Sequence, residues 1–157
     1  HQVSGTGEAQ VVSLDLLIDG KPLVASEPSI AQGSSFSVVL RLHMDATRLS
    51  SWASISIHDE SMSPVISIPI HDPTGQHLEL PAGNHRMELP LGRIDLNAGK
   101  YSFVVSVQGL PDQVSLTRVQ GLRPFRVISD RVHWGKIVRP AVPRDLASPV
   151  HEPALTR

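Results

Sequence analysis

The sequence predicts an all-β domain, two antiparallel sheets packed face to face as a β-sandwich. Apolar and polar residues alternate with a period of two in segment after segment. Turn residues separate these segments at intervals of about ten. No stretch sustains apolar positions at i, i+3, i+4 and i+7, the stripe that an amphipathic helix needs.

The first alternating run covers residues 8–18. Val12, Leu14, Leu16 and Ile18 are expected on one face, and Ser13 and Asp15 on the other. Asp19-Gly20 then supplies a turn. Residues 23–30 read as a weaker strand or edge, interrupted by Pro28. The clearest strand is 35–44, in which Phe36, Val38, Leu40, Leu42 and Met44 oppose Ser35, Ser37, Arg41 and His43.

In 52–58, Ala53, Ile55 and Ile57 alternate with Trp52, Ser54, Ser56 and His58. Ile66, Ile68 and Ile70 repeat the theme in 65–70, where Pro69 demands an edge or a bulge because it cannot donate to a ladder. Two turns follow, at Asp72-Pro73-Thr74-Gly75 and Pro81-Ala82-Gly83-Asn84. Met87, Leu89 and Leu91 are in register in 85–91, as are Tyr101, Phe103, Val105 and Val107 in 100–108. Segments 114–119 and 122–128 read as the last pair of strands of the sandwich, with a further short strand at 132–138. Pro140, Pro143, Pro149 and Pro153 mark 140–157 as a flexible tail beyond a domain of residues 1–139.

Composition agrees with one such domain. A chain of 157 residues buries roughly 68–70% of its unfolded surface, and 40% of its residues are apolar against 18% charged. Fourteen basic residues against fifteen acidic ones leave a net charge of −1 with no basic stripe, which excludes a phosphate-backbone binder. The absence of cysteine points to a reducing compartment. No apolar run approaches the roughly 20 residues that span a bilayer, and no secretory leader opens the chain. It starts at His1 rather than methionine, which suggests a domain cut from something longer.

Catalytic patterns are thin. Gly5-Thr6-Gly7 lacks the third glycine and the Lys-Ser or Lys-Thr of a phosphate loop, and is read as a lead-in to the first strand. His43, His58, His71, His77, His85 and His133 are scattered over separate segments rather than set at metal-ligand spacing. No nucleophile elbow stands out among the serines. Asp59-Glu60 is placed in a solvated turn, and Glu88 and Asp95 do not face each other as paired acids must. The chain is therefore read as non-enzymatic, with no cofactor and no metal.

Leu96-Asn97-Ala98-Gly99-Lys100-Tyr101 predicts a tyrosine corner, a structural device in which the phenol bonds back to the preceding turn. What remains is a polar sheet face. Trp52, Ser54, Ser56 and His58 on one strand, with Ser102, Ser106 and Gln108 on another, point away from the core and form the candidate carbohydrate-binding set. Sugars stack their C–H faces on indole and pair their hydroxyls with short polar side chains. The same pattern also fits an ordinary wet face, and an indole at a strand end that joins the core.

Several segments, in order, resemble the C-terminal domain of Wzt-type proteins, the nucleotide-binding subunits of ABC transporters that export O-antigen polysaccharide. They are Gly5-Thr6-Gly7-Glu8-Ala9-Gln10-Val11, Gln32-Gly33, Ile55-Ser56-Ile57-His58-Asp59, the Leu96–Tyr101 motif, Phe125-Arg126-Val127 and Gly135-Lys136-Ile137-Val138. The resemblance covers about residues 1–140. It implies an immunoglobulin-like sandwich that dimerises by exchanging its last strand, here 132–138. It also implies binding of the non-reducing end of a lipid-linked O-polysaccharide at the cytoplasmic face of the inner membrane. The partners would be an upstream ATPase domain and the transporter's membrane subunit. Binding residues diverge with each polysaccharide, so none carries over by motif. One rival is an immunoglobulin-like structural or protein-interaction domain of an envelope protein without a sugar site; another is a jelly-roll enzyme with histidine-bound metal.

Overall fold

The computed structural model describes residues 1–93 and 95–144. Their strands are β1 (Gln2–Ser4), β2 (Ala9–Ile18), β3 (Lys21–Pro22), β4 (Ser29–Ala31), β5 (Ser35–Met44), β6 (Arg48–Asp59), β7 (Pro64–Ile70), β8 (Leu78–Leu80), β9 (Gly83–Arg93), β10 (Gly99–Gly109) and β11 (Val114–Ile128). One sheet runs β1-β11-β10-β6-β7, with β4 added on β11 and β8 on β6; the other runs β3-β2-β5-β9. No helix forms among the described residues, and none is long and apolar enough to cross a membrane. The all-β sandwich is the architecture that the alternation predicts.

The two sheets meet through their inward rows. Phe36, Val38, Leu40, Leu42 and Met44 of β5 pack with Ala53, Ile55 and Ile57 of β6 and with Phe103, Val105 and Val107 of β10, all buried. Each of these side chains other than Ala53 contributes about 1.5–3 kcal/mol when fully enclosed. Phe125 sits at the aromatic centre, its ring 5.2 Å from Phe103, 5.7 Å from Tyr101 and 6.3 Å from Phe36. The Tyr101 hydroxyl donates to the Asn97 carbonyl at 2.7 Å, closing the tyrosine corner.

Several local expectations are corrected. A bulge between Val11 and Ser13 shifts the phase of β2, so Val12 is 62% exposed while Leu14 and Leu16 stay inside. Residues 23–30 are not one strand: 23–28 carry no strand, and Ser29–Ala31 form β4, which runs parallel to β11. Segments 114–119 and 122–128 are one strand, β11, bent by irregular register against β10 and by positive φ at Gly121 and Arg123. The turn-like Gln120-Gly121 does not reverse the chain, because the kink is absorbed within the β10 ladder.

Gly5 is not a free lead-in. A strand, β1, precedes it, and its φ of +105° brings the backbone so near β11 that a Cβ there would stand 2.9 Å from the Thr117 Cα. Gly5→Ala is expected to cost about 1–3 kcal/mol from strain and clash together. Gly7→Ala, at a φ of +83° with nothing within 4 Å, should cost less. Urea denaturation of the two variants separates the terms; equal losses would mean that the Thr117 contact is immaterial.

Residues 132–138 form no strand within the chain. The segment lies along the β9–β10 connection through a single bridge between Leu96 and Ile137. Asn97 N donates to the Lys136 carbonyl at 2.8 Å, Val138 N to the Asp95 carbonyl at 2.6 Å, and His133 N to Asn97 Oδ1 at 3.0 Å. A loop offers only these few backbone partners, so no ladder can propagate. Trp134 is fully exposed and Val132 nearly so. Residues 140–144 are exposed without regular structure, and 145–157, the rest of the expected tail, lie outside the described residues.

Candidate functional site

The β6–β10 register brings the seven predicted site residues onto one face. Trp52 pairs with Gln108, Ser54 with Ser106, Ser56 with Val104, and His58 with Ser102. Directly opposed residues of an antiparallel pair share a side of the sheet, and the inward alternates Ala53, Ile55, Ile57, Phe103, Val105 and Val107 fix which side that is. On the far flank of β6, the edge strand β7 sets Pro69 opposite Ser54 and Ser67 opposite Ser56.

The face divides into two ends. At one, Trp52, Ser54, Ser67, Pro69, Ser106 and Gln108 line a groove of about 260 Å³. Trp52 stands where β6 exchanges neighbours, since Ala53 pairs with Ile70 of β7 and Ser51 with Leu78 of β8. The β7–β8 loop therefore emerges beside the indole. Its His77 meets Trp52 edge-on, centroids 5.6 Å apart at 73°. Asp72 Oδ1 braces that loop by accepting from Thr74 N at 2.9 Å, Thr74 Oγ1 at 2.7 Å and Gln76 N at 2.8 Å. These bonds, the Thr74 hydroxyl first, hold its carboxyl below the usual range. Trp52 remains 51% exposed, so its indole belongs to the groove and not to the core.

At the other end the polar side chains are enclosed. His58 is buried, its Nδ1 donating to the Met62 carbonyl at 3.1 Å and its Nε2 2.9 Å from Ser56 Oγ. A carbonyl can only accept, so in the neutral ring Nε2 is the acceptor for the Ser56 hydroxyl. Ser102 and Val104 are buried beside it. A Ser–His contact is half of a nucleophilic pair. Here the ring is oriented by a carbonyl rather than a carboxylate. Ser56 also lies between the paired strands β7 and β10, whose ladders occupy the backbone N–H groups that an oxyanion would need.

Asp59, read from sequence as a solvated turn residue, is only 8% exposed. Its Oδ1 accepts from Ser61 N at 2.9 Å and Ser63 N at 3.0 Å, and its Oδ2 lies 3.2 Å from Lys136 Nζ. The Ser63 N–H foremost, then Lys136, pull its pKa below the ordinary aspartate value. A carboxylate with a depressed folded pKa stabilises the fold above its unfolded pKa of about 3.9, and that contribution fades as pH falls through the folded value. Asp59→Asn should lower the melting temperature at neutral pH and shrink the gap from wild type in acid. A gap unchanged down to pH 2 would contradict the assignment.

Among the described residues no three His, Asp or Glu side chains gather as a metal site. Instead His43 meets Asn84 Oδ1 at 2.8 Å, His71 the Asp72 carbonyl at 2.7 Å and His85 the Pro81 carbonyl at 2.6 Å. The sequence reading missed Ser67, Pro69 and His77. The first two were signalled by inward Ile66, Ile68 and Ile70, which leave Ser67 and Pro69 facing out.

No family model matches the sequence, and no curated protein sequence does. Among solved structures, the chain is similar to the C-terminal domain of wzt, with a TM-score of 0.74 at 15% identity over 92% of this chain and 88% of that one. Two fainter likenesses carry no argument. One is to a β-D-mannosidase from Dictyoglomus thermophilum (TM-score 0.46, 11% identity, 76% of this chain and 13% of that one). The other is to a Niemann-Pick type C2 protein from Japanese carpenter ant (0.45, 11%, 82% and 100%). The sandwich described above is thus the fold of the C-terminal domain of wzt.

Proposed function

We propose that this chain is a non-catalytic carbohydrate-recognition domain of a polysaccharide ABC exporter, binding the end of a lipid-linked O-antigen before export. The observation that carries the reading is the groove. A half-exposed indole closes one end, and the hydroxyls of Ser54, Ser67 and Ser106 with the Gln108 amide line the rest. Such a surface offers a stacking platform beside neutral donors and acceptors, which is what a pyranose ring presents in return. The likeness in fold to the C-terminal domain of wzt supports the exporter context. In that context the domain works at the cytoplasmic face of the inner membrane, alongside an ATPase domain and the transporter's membrane subunit.

Affinity per groove is low, because a shallow polar surface displaces much water for little net gain. A dimer offsets this through avidity. In this reading residues 132–138 leave the Leu96 bridge and pair with a second copy, enclosing Val132, Trp134 and Ile137, which one chain leaves exposed.

The test is retention of the purified chain on immobilised O-polysaccharide of the source organism, against dextran, with light scattering for mass. Selective retention of a dimer is expected. A monomer that ignores the polysaccharide would favour the rival, a protein-interaction domain using the exposed Trp134 segment.

A further inference from the structure

The groove residues are uncharged, yet the row of side chains that crosses it runs on to a cation. Arg118 of β11 lies opposite Ser106 across the β10–β11 pair and opposite Ser4 across the β1–β11 pair. Ser106 in turn faces Ser54, and Ser54 faces Pro69, so the row reads Ser4, Arg118, Ser106, Ser54, Pro69. Opposed Cβ atoms stand about 4.5–5.5 Å apart, a gap that the extended arginine stem spans. Arg118 thereby sets a cation directly beside Ser106 of the β10 wall of the groove.

Its environment is unusual for an arginine of this chain. Arg48 is bound by Glu8 through two bonds of 2.7 and 3.0 Å, and Arg41 lies near Asp15. Arg93 and Arg139 share Asp95, and Arg123 donates to the carbonyls of Leu23, Ala25 and Ser26. Arg86, Arg126, Arg131 and Arg144 have no such partner but are exposed to water. Arg118 alone is half-buried with no ion pair or side-chain hydrogen bond among the described residues. Its neighbours on the face, Ser4, Ser106 and Gln120, are all neutral.

A partly desolvated guanidinium keeps its five N–H donors in a planar fork that matches a carboxylate or a phosphate with two parallel bonds. Neutral hydroxyls can accept from it but cannot answer its charge. We infer that Arg118 is an anion subsite of the groove, and that the glycan bound there carries an anionic substituent, a carboxylate or a phosphate ester. The inference rests on the reading of the groove as a sugar site. Trp52 then anchors the ring at one end of the groove, and Arg118 selects the charge from its β10 side.

The test uses ¹H–¹⁵N correlation spectra of the full chain, titrated with sugars matched at every carbon but C6. These are methyl hexopyranosides, methyl hexopyranosiduronates and hexose 6-phosphates of the gluco, galacto and manno series. At least one charged sugar should bind about tenfold more tightly than its neutral match. Arg118→Gln should bring that ratio near one, and Arg118→Lys, a point charge without the fork, should leave it in between. The uronate and phosphate arms tell the two anions apart. If neutral and charged sugars bind alike, or Arg118→Gln weakens both by one factor, the subsite is refuted while the groove stands. If no sugar shifts the groove resonances, both fall.

Discussion

Phe125→Ala should lower the unfolding free energy by about 3–5 kcal/mol, the largest stability loss expected of any single truncation in this chain. The ring is fully buried and meets Phe36 from the facing sheet as well as Tyr101 and Phe103 from its own. Truncation removes the transfer free energy of the ring and leaves a cavity whose walls are β-strands pinned by their ladders, so they can collapse only in part. The aromatic contacts add about 0.5–1.5 kcal/mol each beyond burial, though not additively. Guanidinium denaturation checks this. A loss below about 1 kcal/mol would mean that the two sheets do not close over this residue.

The second large effect is on binding. Trp52→Ala should weaken glycan binding by at least 2 kcal/mol, about 30-fold, as for an aromatic anchor of a contact. Stability should move little, within about 0.5 kcal/mol of wild type, because half of the side chain already faces water. His77→Ala, which frees the indole from its edge contact, should weaken binding less. Calorimetry with the source polysaccharide and a thermal melt of each variant read the two quantities separately. A variant that unfolds would return Trp52 to the core. One that binds normally would move the site elsewhere.

Much of the fold was legible because alternation is a local signal. In β5, β6 and β10 the buried inward rows, Phe36 to Met44, Ala53 to Ile57 and Tyr101 to Val107, are those the pattern gives, while Val39, His58, Ser102 and Val104 of the outward rows are buried as well. The signal fails where an extra residue enters. At Val12 the bulge inverts the phase without changing the composition, so a valine that reads as core lies outside. At Gln120-Gly121 a kink resembles a turn, because only the facing strand β10 shows that the ladder continues. The strand β1 is three residues long and owes its existence to β11, not to its own pattern.

The site followed the same division. That Trp52, Ser54, Ser56, His58, Ser102, Ser106 and Gln108 share a face was readable from parity once β6 and β10 were neighbours. Which end of that face is open was not. His58 and Ser102 are opposed across the β6–β10 pair and both buried, and the groove takes shape only when the edge strand β7 and the loop carrying His77 are set beside β6. Arg118 is silent in sequence because its significance is the partner it lacks.

The decisive measurement is a shift map of the isotope-labelled chain with delipidated O-polysaccharide of the source organism. Perturbations should gather at the Trp52 indole N–H and at Ser54, Ser67, Ser106 and Gln108, and leave β2, β5 and β9 unmoved. Shifts confined to the opposite sheet, or a silent Trp52 indole at saturating glycan, would contradict the assignment of this face.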